Sequence, residues 1–264
     1  KGKIKFIGSP EKRIQEDYLR ILRYFRFFIQ YSKTSYDQET IQSIKKNING
    51  LNKISNERIF DELKKILSLN NVYNLFDNNQ SKDIILNIFP ELQYYERLNK
   101  INSLDQKLKD KYDGHLILAL LIIDQSKNYE YFCYKYKTSN NFEKSFKNIS
   151  RNFENLRSNK FFSEEKIKKL IYLSNKEYVK NLLLFSICVN DKIEVLNVKK
   201  LLNYIKNCET LKFPISGDYL KKHGYETGLE LGKKLKLLEE KWIENNFVLD
   251  EEVLKKSLNK KNQN

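Results

Sequence analysis

Cysteine, histidine, glycine and proline are all scarce in this chain. Cys133, Cys188 and Cys208 are scattered, odd in number and without a C-x-x-C pair. That excludes a disulfide framework and a thiolate zinc site, and it predicts buried free thiols in a reducing, cytoplasmic compartment. The only histidines are His115 and His223. His115 heads an apolar run with no Asp following it, so it reads as structural. Eight glycines, three prolines and little period-two alternation argue for helices over strands. The longest apolar run, Leu116–Ile123, falls short of the roughly 18 residues of a membrane span and reads as a buried helix. No membrane partner is expected. There is no signal-peptide pattern, and the first residue is Lys1 rather than Met, which predicts a fragment or a processed product.

What the chain does have is apolar surface and positive charge. It is 40% hydrophobic, with 17 tyrosines and 16 phenylalanines, enough for a real core in one large domain or two to three small ones. The formal charge of +15 points to a polyanionic partner. The abundance of Lys, Asn and Ile also fits an AT-rich coding bias, which would make part of that charge compositional.

One stretch stands apart, Gly8–Tyr31 (GSPEKRIQEDYLRILRYFRFFIQY). Ser9 can cap a helix, Pro10 suits its first turn, and Glu11 favours the positive helix end. Ile14, Tyr18, Ile21, Leu22, Phe25, Phe28 and Ile29 recur at helical spacing. Four of the eight arginines lie between positions 13 and 26. On a helix, Arg13, Asp17 and Arg20 share a face, and Arg23 and Arg26 continue it. A carboxylate accepts hydrogen bonds from the exocyclic amines of cytosine and adenine, and a guanidinium offers a planar fork of donors. Asp17 and Arg20 can therefore read a Watson–Crick edge, with Arg23 and Arg26 steadying base or triphosphate. The plainer reading is a solvated face with ordinary Arg13–Asp17 and Glu16–Arg20 pairs, each stabilising by about 0.2–0.5 kcal/mol.

This stretch resembles the neck motif of class II tRNA nucleotidyltransferases, the CCA-adding enzymes, and of the related bacterial poly(A) polymerases. Glu16, Asp17 and Arg20 match the family's E-D-x-x-R. The resemblance implies that Asp17 and Arg20 select CTP and then ATP, with Arg23 and Arg26 facing the nucleotide. A second element, Ser55–Leu63, matches the family's S-x-E-R-I-x-x-E-L. There Glu57, Arg58 and Glu62, together with Glu16, are expected to brace the neck by charge pairs, a plain surface helix being the alternative. I-F-P-E-L, ending at Leu92, also recurs in the family. No G-S followed by D-x-D occurs, and no R-R-D-F-T element. The Mg²⁺ carboxylates that the resemblance implies are thus expected in a missing head, the chain being either a fragment or one half of a split enzyme whose head is a separate catalytic polypeptide. A metal-dependent phosphohydrolase module, fused to some members, has no counterpart in the histidines here.

Downstream, helices are expected over Asp37–Ile48 (ended by Gly50), Ile54–Leu69 (capped by Ser55), Val72–Asp77, Ile84–Leu92, Asn141–Leu156, Glu164–Leu173 (capped by Ser163), Glu177–Val189, Val195–Leu211 and Lys233–Asn245. The aromatic run Tyr129–Tyr136 reads as core, with base stacking as the alternative. Gly217, Gly224, Gly228 and Gly232 resemble the family's tail, where Lys221, Lys222, Lys233 and Lys234 are expected to hold tRNA. These glycines suit either close backbone approach to phosphate or tight helix packing. The terminal K-K-S-L-N-K-K-N-Q-N reads as frayed. The whole is an all-α, elongated array: a lead-in at 1–7, a neck at 8–95, a body at 96–210 and a tail at 211–264. It is expected to be inactive alone. A non-catalytic RNA-binding module and a fragment of a poly(A) polymerase are the alternatives.

Overall fold

The computed structural model describes residues 2–157 and 162–249. The terminal basic decapeptide and its predicted fraying lie outside them. Among the described residues every regular element is helical, as expected from the sparse glycine and proline. The chain forms two compact units, Lys1–Phe161 with Asn181–Val198, and Phe162–Lys180 with Lys199–Asn264.

The first unit opens with an extended segment laid along the helix that follows it. Lys33 N–H donates to the Gly2 carbonyl (3.0 Å), and Phe6 stacks on Tyr24 (5.8 Å). Helix α1 spans Pro10–Glu16, with the Ser9 hydroxyl accepting the Lys12 N–H and Pro10 at its first position. The periodicity predicts one continuous helix here, and the structure breaks it. Asp17 is extended (φ −155°, ψ 102°), and α2 begins only at Arg20 and runs to Tyr31. The cause is local: Asp17 Oδ1 accepts the Leu19 N–H (3.1 Å), a turn that short acidic side chains offer in competition with helix. Ile14, Ile21, Leu22 and Phe25 are still fully buried, because the break keeps both apolar stripes facing inward.

Helix α3 (Gln38–Asn47) is capped by Asp37, whose carboxylate accepts from the Thr40 N–H and hydroxyl. It packs against α1. Gly50 does not end α3. It sits inside a 3₁₀ turn, Ile48–Lys53, under the ring of Tyr18. Helix α4 (Asn56–Leu67) starts after Ser55, whose hydroxyl makes no capping bond, contrary to expectation. It packs against α2. Two shorter helices, α5 (Asn74–Asp77) and α6 (Asn79–Ile88), end before Phe89-Pro90. After α7 (Leu98–Asn102) and α8 (Gln106–Lys109) comes α9 (Gly114–Ile122), apolar all round and buried from Leu116 to Ile122. That is the expected behaviour of a helix with no polar face. Helix α10 (Asn128–Tyr136) buries Tyr129, Phe132, Cys133 and Tyr136 as core and exposes Tyr131 and Tyr134. Helix α11 spans Asn140–Leu156. His115 is bound to the Ser145 hydroxyl (2.9 Å) and packed on Phe142 and Phe146. Burial lowers its pKa, so it is a neutral packing residue.

In the second unit, α12 (Glu164–Leu173) carries the Ser163 cap read from the sequence. Helices α13 (Lys176–Val189) and α14 (Val195–Asn207) each begin in one unit and end in the other. Helix α14 stops at Asn207, short of the expected Leu211. Helix α15 (Gly217–Lys222) and α16 (Leu229–Glu244) close a small core of Ile215, Leu220 and Leu238. Helix α16 starts four residues earlier than expected. Tight packing does not explain the tail glycines. A Cβ on Gly224, Gly228 or Gly232 would meet no atom within 4 Å, and one on Gly217 would meet only Leu231 at 3.5 Å.

Candidate nucleotide site on the broken helix pair

The α1–α2 break determines where the charged side chains go. Because Asp17 leaves the helix, it does not share a face with Arg13 and Arg20 as uninterrupted spacing would require. Glu16 takes the central place instead. Its Oε2 receives Arg13 at 3.0 Å and Arg20 at 2.7 Å, and Arg20 also donates to the Arg13 carbonyl at 2.8 Å. The Arg20 bond holds the Glu16 carboxyl below the usual glutamate range. Of the ordinary pairs, Glu16–Arg20 forms, across the break, and Arg13–Asp17 does not. Asp17 turns to Arg23, whose guanidinium lies 3.2 Å from Oδ2, while Arg58 stands 4.0 Å from Oδ1.

One carboxylate lies beneath this layer. Glu62 on α4 is 3% exposed and receives Arg26 at 3.0 Å, Lys65 at 2.9 Å and Arg23 at 3.7 Å. Burial alone would raise its pKa, but Lys65 and Arg26 outweigh that and hold it low. Arg23 thus touches both Asp17 and Glu62, linking the break to α4. Arg26 lies against Glu62 and over the Phe27 ring (4.5 Å). Glu57 pairs instead with Lys137, just past α10, at 2.7 Å.

Above this network is an open cleft of about 340 Å³. Arg13, Arg20 and Arg23 line one side, and Phe6, Tyr24 and Phe27 supply aromatic surface. Guanidinium forks beside aromatic faces suit an aromatic anion. Of the expected nucleotide residues, Arg20 and Arg23 line the cleft directly, and Asp17 and Arg26 are bonded beside them. Arg13 was read on the charged face without a nucleotide role, and the aromatic surface of Phe6, Tyr24 and Phe27 was missed from the sequence. The alternating K-I-K-F-I of the lead-in was the available signal. Lys3 and Lys5 pin that lead-in through Asp37 at 3.4 and 3.3 Å.

The tail lysines are in the second unit. Lys221 pairs with Asp218 within α15 at 3.1 Å, Lys222 and Lys233 are exposed, and Lys234 lies 5.9 Å over the Tyr225 ring. Among the described residues no three His, Cys, Asp or Glu side chains converge as metal ligands. No helix among them is long and apolar enough to cross a membrane.

Residues 35–96, from α3 into the segment before α7, match a family model described as "Probable RNA and SrmB- binding site of polymerase A". The human mitochondrial CCA tRNA nucleotidyltransferase 1 is 30% identical over 278 residues, covering 96% of this chain and 57% of that protein. Among solved structures, the Thermotoga maritima CCA-adding enzyme complexed with tRNA superposes with a TM-score of 0.59 at 18% identity, over 94% of this chain and 62% of the other. The Bacillus stearothermophilus CCA-adding enzyme in complex with CTP gives 0.60 at 17%, over 94% and 62%. The chain thus combines a helical architecture, an arginine-lined cleft and, over residues 35–96, a match to an RNA-binding family model. The chain belongs to the class II CCA-adding enzyme family. It spans a little over half the length of the curated relatives it matches most fully.

Proposed function

We propose that this chain is the nucleotide-selecting and tRNA-holding part of a CCA-adding enzyme, with CTP and ATP as its nucleotides. The observation that carries this reading is the E-D-x-x-R element, folded as a helix break beside an arginine-lined cleft. Each Asp17 oxygen accepts one intramolecular bond, and a carboxylate oxygen has a second lone pair for an exocyclic amine. Arg20 commits NH1 to Glu16 and to the Arg13 carbonyl, which orients the rest of its fork for a ring nitrogen or carbonyl. Selection is then a matter of donor and acceptor pattern: uracil presents a carbonyl where cytosine presents an amine. The exposed Lys222 and Lys233 and the open glycine surface of the tail suit contact with an RNA backbone.

Bond formation is assigned to groups outside this chain, because the resemblance places the Mg²⁺ carboxylates on a D-x-D element that this sequence does not contain. Purified chain is expected to transfer neither CMP nor AMP to tRNA, checked with radiolabelled nucleotide. Asp17→Asn keeps an acceptor for the Leu19 N–H but puts a donor before the amine. It is expected to lower the preference for CTP over UTP about tenfold, the size of one unsatisfied hydrogen bond, read by nucleotide titration. An unchanged preference would remove Asp17 from base reading.

The overall test is filter binding of tRNA lacking CCA against single-stranded RNA of equal length, across a salt series. Preference for tRNA with steep salt dependence is the expected result. Equal, tight binding of both would favour the second reading, a poly(A) polymerase part, which the matched family description supports. Equal, weak binding would make the +15 charge compositional and overturn RNA holding.

A further inference from the structure

The first unit has another cleft, which shares no residue with the one on the broken helix pair. It is open, about 600 Å³, and lined by Tyr94, Arg97, Asp124, Ser126, Phe153 and Arg157 among others. Arg97 is built into its wall. One nitrogen, NH1, donates to the carbonyls of Leu120 (2.8 Å) and Ile123 (2.7 Å) at the end of α9. Its plane lies 4.0 Å from the Tyr94 ring centre and 5.4 Å from that of Phe153. The carboxylate in the cleft is already occupied. Asp124 Oδ2 accepts from the Tyr94 hydroxyl (2.5 Å), and Oδ1 accepts from the Ser126 N–H (2.7 Å) and hydroxyl (2.6 Å).

Arg157, just past α11, is exposed, and no described carboxylate pairs with it. Two guanidiniums thus share the cleft with one carboxylate that is already hydrogen-bonded at both oxygens. Burial lowers the Arg97 pKa; Tyr94, Asp124 and Cys188 act against it and the Arg157 charge adds to it, so the two cations repel across the cleft and Asp124 offsets only part of their charge. An anion between them would relieve that repulsion. The Arg97 plane covers a face of Tyr94 and lies against Phe153, so what the cleft offers is donors more than stacking surface. That selects a phosphate group over a base.

We propose that Arg97 and Arg157 form a phosphate-binding cleft in the first unit, taking a backbone phosphate of bound RNA or the phosphate of a free nucleotide. Only the RNA source rests on the function proposed above. The test compares wild-type chain with Arg157→Gln, an exposed change that leaves the Arg97 wall intact, and with Lys147→Gln as a control. Lys147 is exposed on α11 and does not line the cleft. The probes are tRNA lacking CCA across a salt series, and pyrophosphate by calorimetry. If the source is RNA, Arg157→Gln weakens RNA binding about fivefold at about 0.15 M salt, and the slope of log affinity on log salt shrinks by about 0.7–0.9. The control changes by less than twofold. If the source is a nucleotide, pyrophosphate affinity falls and RNA affinity does not. Equal losses in both variants, or no loss with either probe, overturn the cleft. Should wild-type chain bind no RNA, the proposed function fails, and the pyrophosphate arm decides the cleft alone.

Discussion

Glu62→Gln is expected to destabilise the first unit by about 3 kcal/mol, read from urea unfolding followed by circular dichroism. The substitution keeps size and shape and removes one charge. Glu62 is 3% exposed and answers Arg26, Arg23 and Lys65, so its loss leaves a partly buried cation cluster without its anion. Removing one partner of a buried pair generally costs about 3–5 kcal/mol. The low end applies because Lys65 is 56% exposed and solvent screens it. The pH dependence has a definite sign. The folded carboxyl titrates below its unfolded value, so its stabilisation is full above the unfolded pKa. It is lost as pH falls through the folded pKa. Wild type and Glu62→Gln should therefore converge in stability as the solution is acidified. A loss under about 1 kcal/mol, like that of an exposed pair, would show that Glu62 does not hold α2 to α4.

The second large effect concerns Gly50. Its φ is not in the left-handed region, so what it provides is space. A Cβ there would lie 2.0 Å from Cδ1 and Cε1 of Tyr18 and 2.4 Å from Cζ. Tyr18 lies in the α1–α2 break, next to Asp17. Gly50→Ala must displace that ring, and we expect about 2–3 kcal/mol of destabilisation, the cost of overpacking. A double-mutant cycle isolates the cause: in a Tyr18→Ala background the same change should cost less than about 0.5 kcal/mol. Equal costs in both backgrounds would place the clash elsewhere. Nucleotide affinity, measured beside stability, reports whether the break moves with the ring.

These two residues show what the sequence exposed and what it hid. Helix α12 was legible because Ser163 and the acidic first turn are local signals, and α9 because an all-apolar helix can only be buried. The break at Asp17 was hidden. The apolar repeat through Ile14, Tyr18 and Ile21 continues across it, and the turn depends on one carboxylate choosing a backbone N–H two residues on. Gly50 was misread as a helix end because its partner, Tyr18, lies far back in the chain. At the candidate site the family motif pointed to Asp17, Arg20, Arg23 and Arg26 as an expectation, and their pairings were not legible. Which arginine meets which carboxylate follows from where α2 restarts and from α4 lying beside it, and neither is written in local spacing.

The way the chain crosses between its two units has a consequence for cutting it. The first unit is discontinuous: residues 162–180 leave it and 181–198 return. The returning piece is integral, since Leu184 accepts the Tyr112 hydroxyl at 2.9 Å and Asn190 donates to the Leu156 carbonyl at 3.4 Å. No single scission can therefore separate the two units with both intact: one at 161 divides the first, and one at 198 divides the second. A nick near residue 161 leaves a stump without part of its own interior, held only by packing to a segment on the other product. A gene split at that point would yield a first half that needs the second to complete its interior.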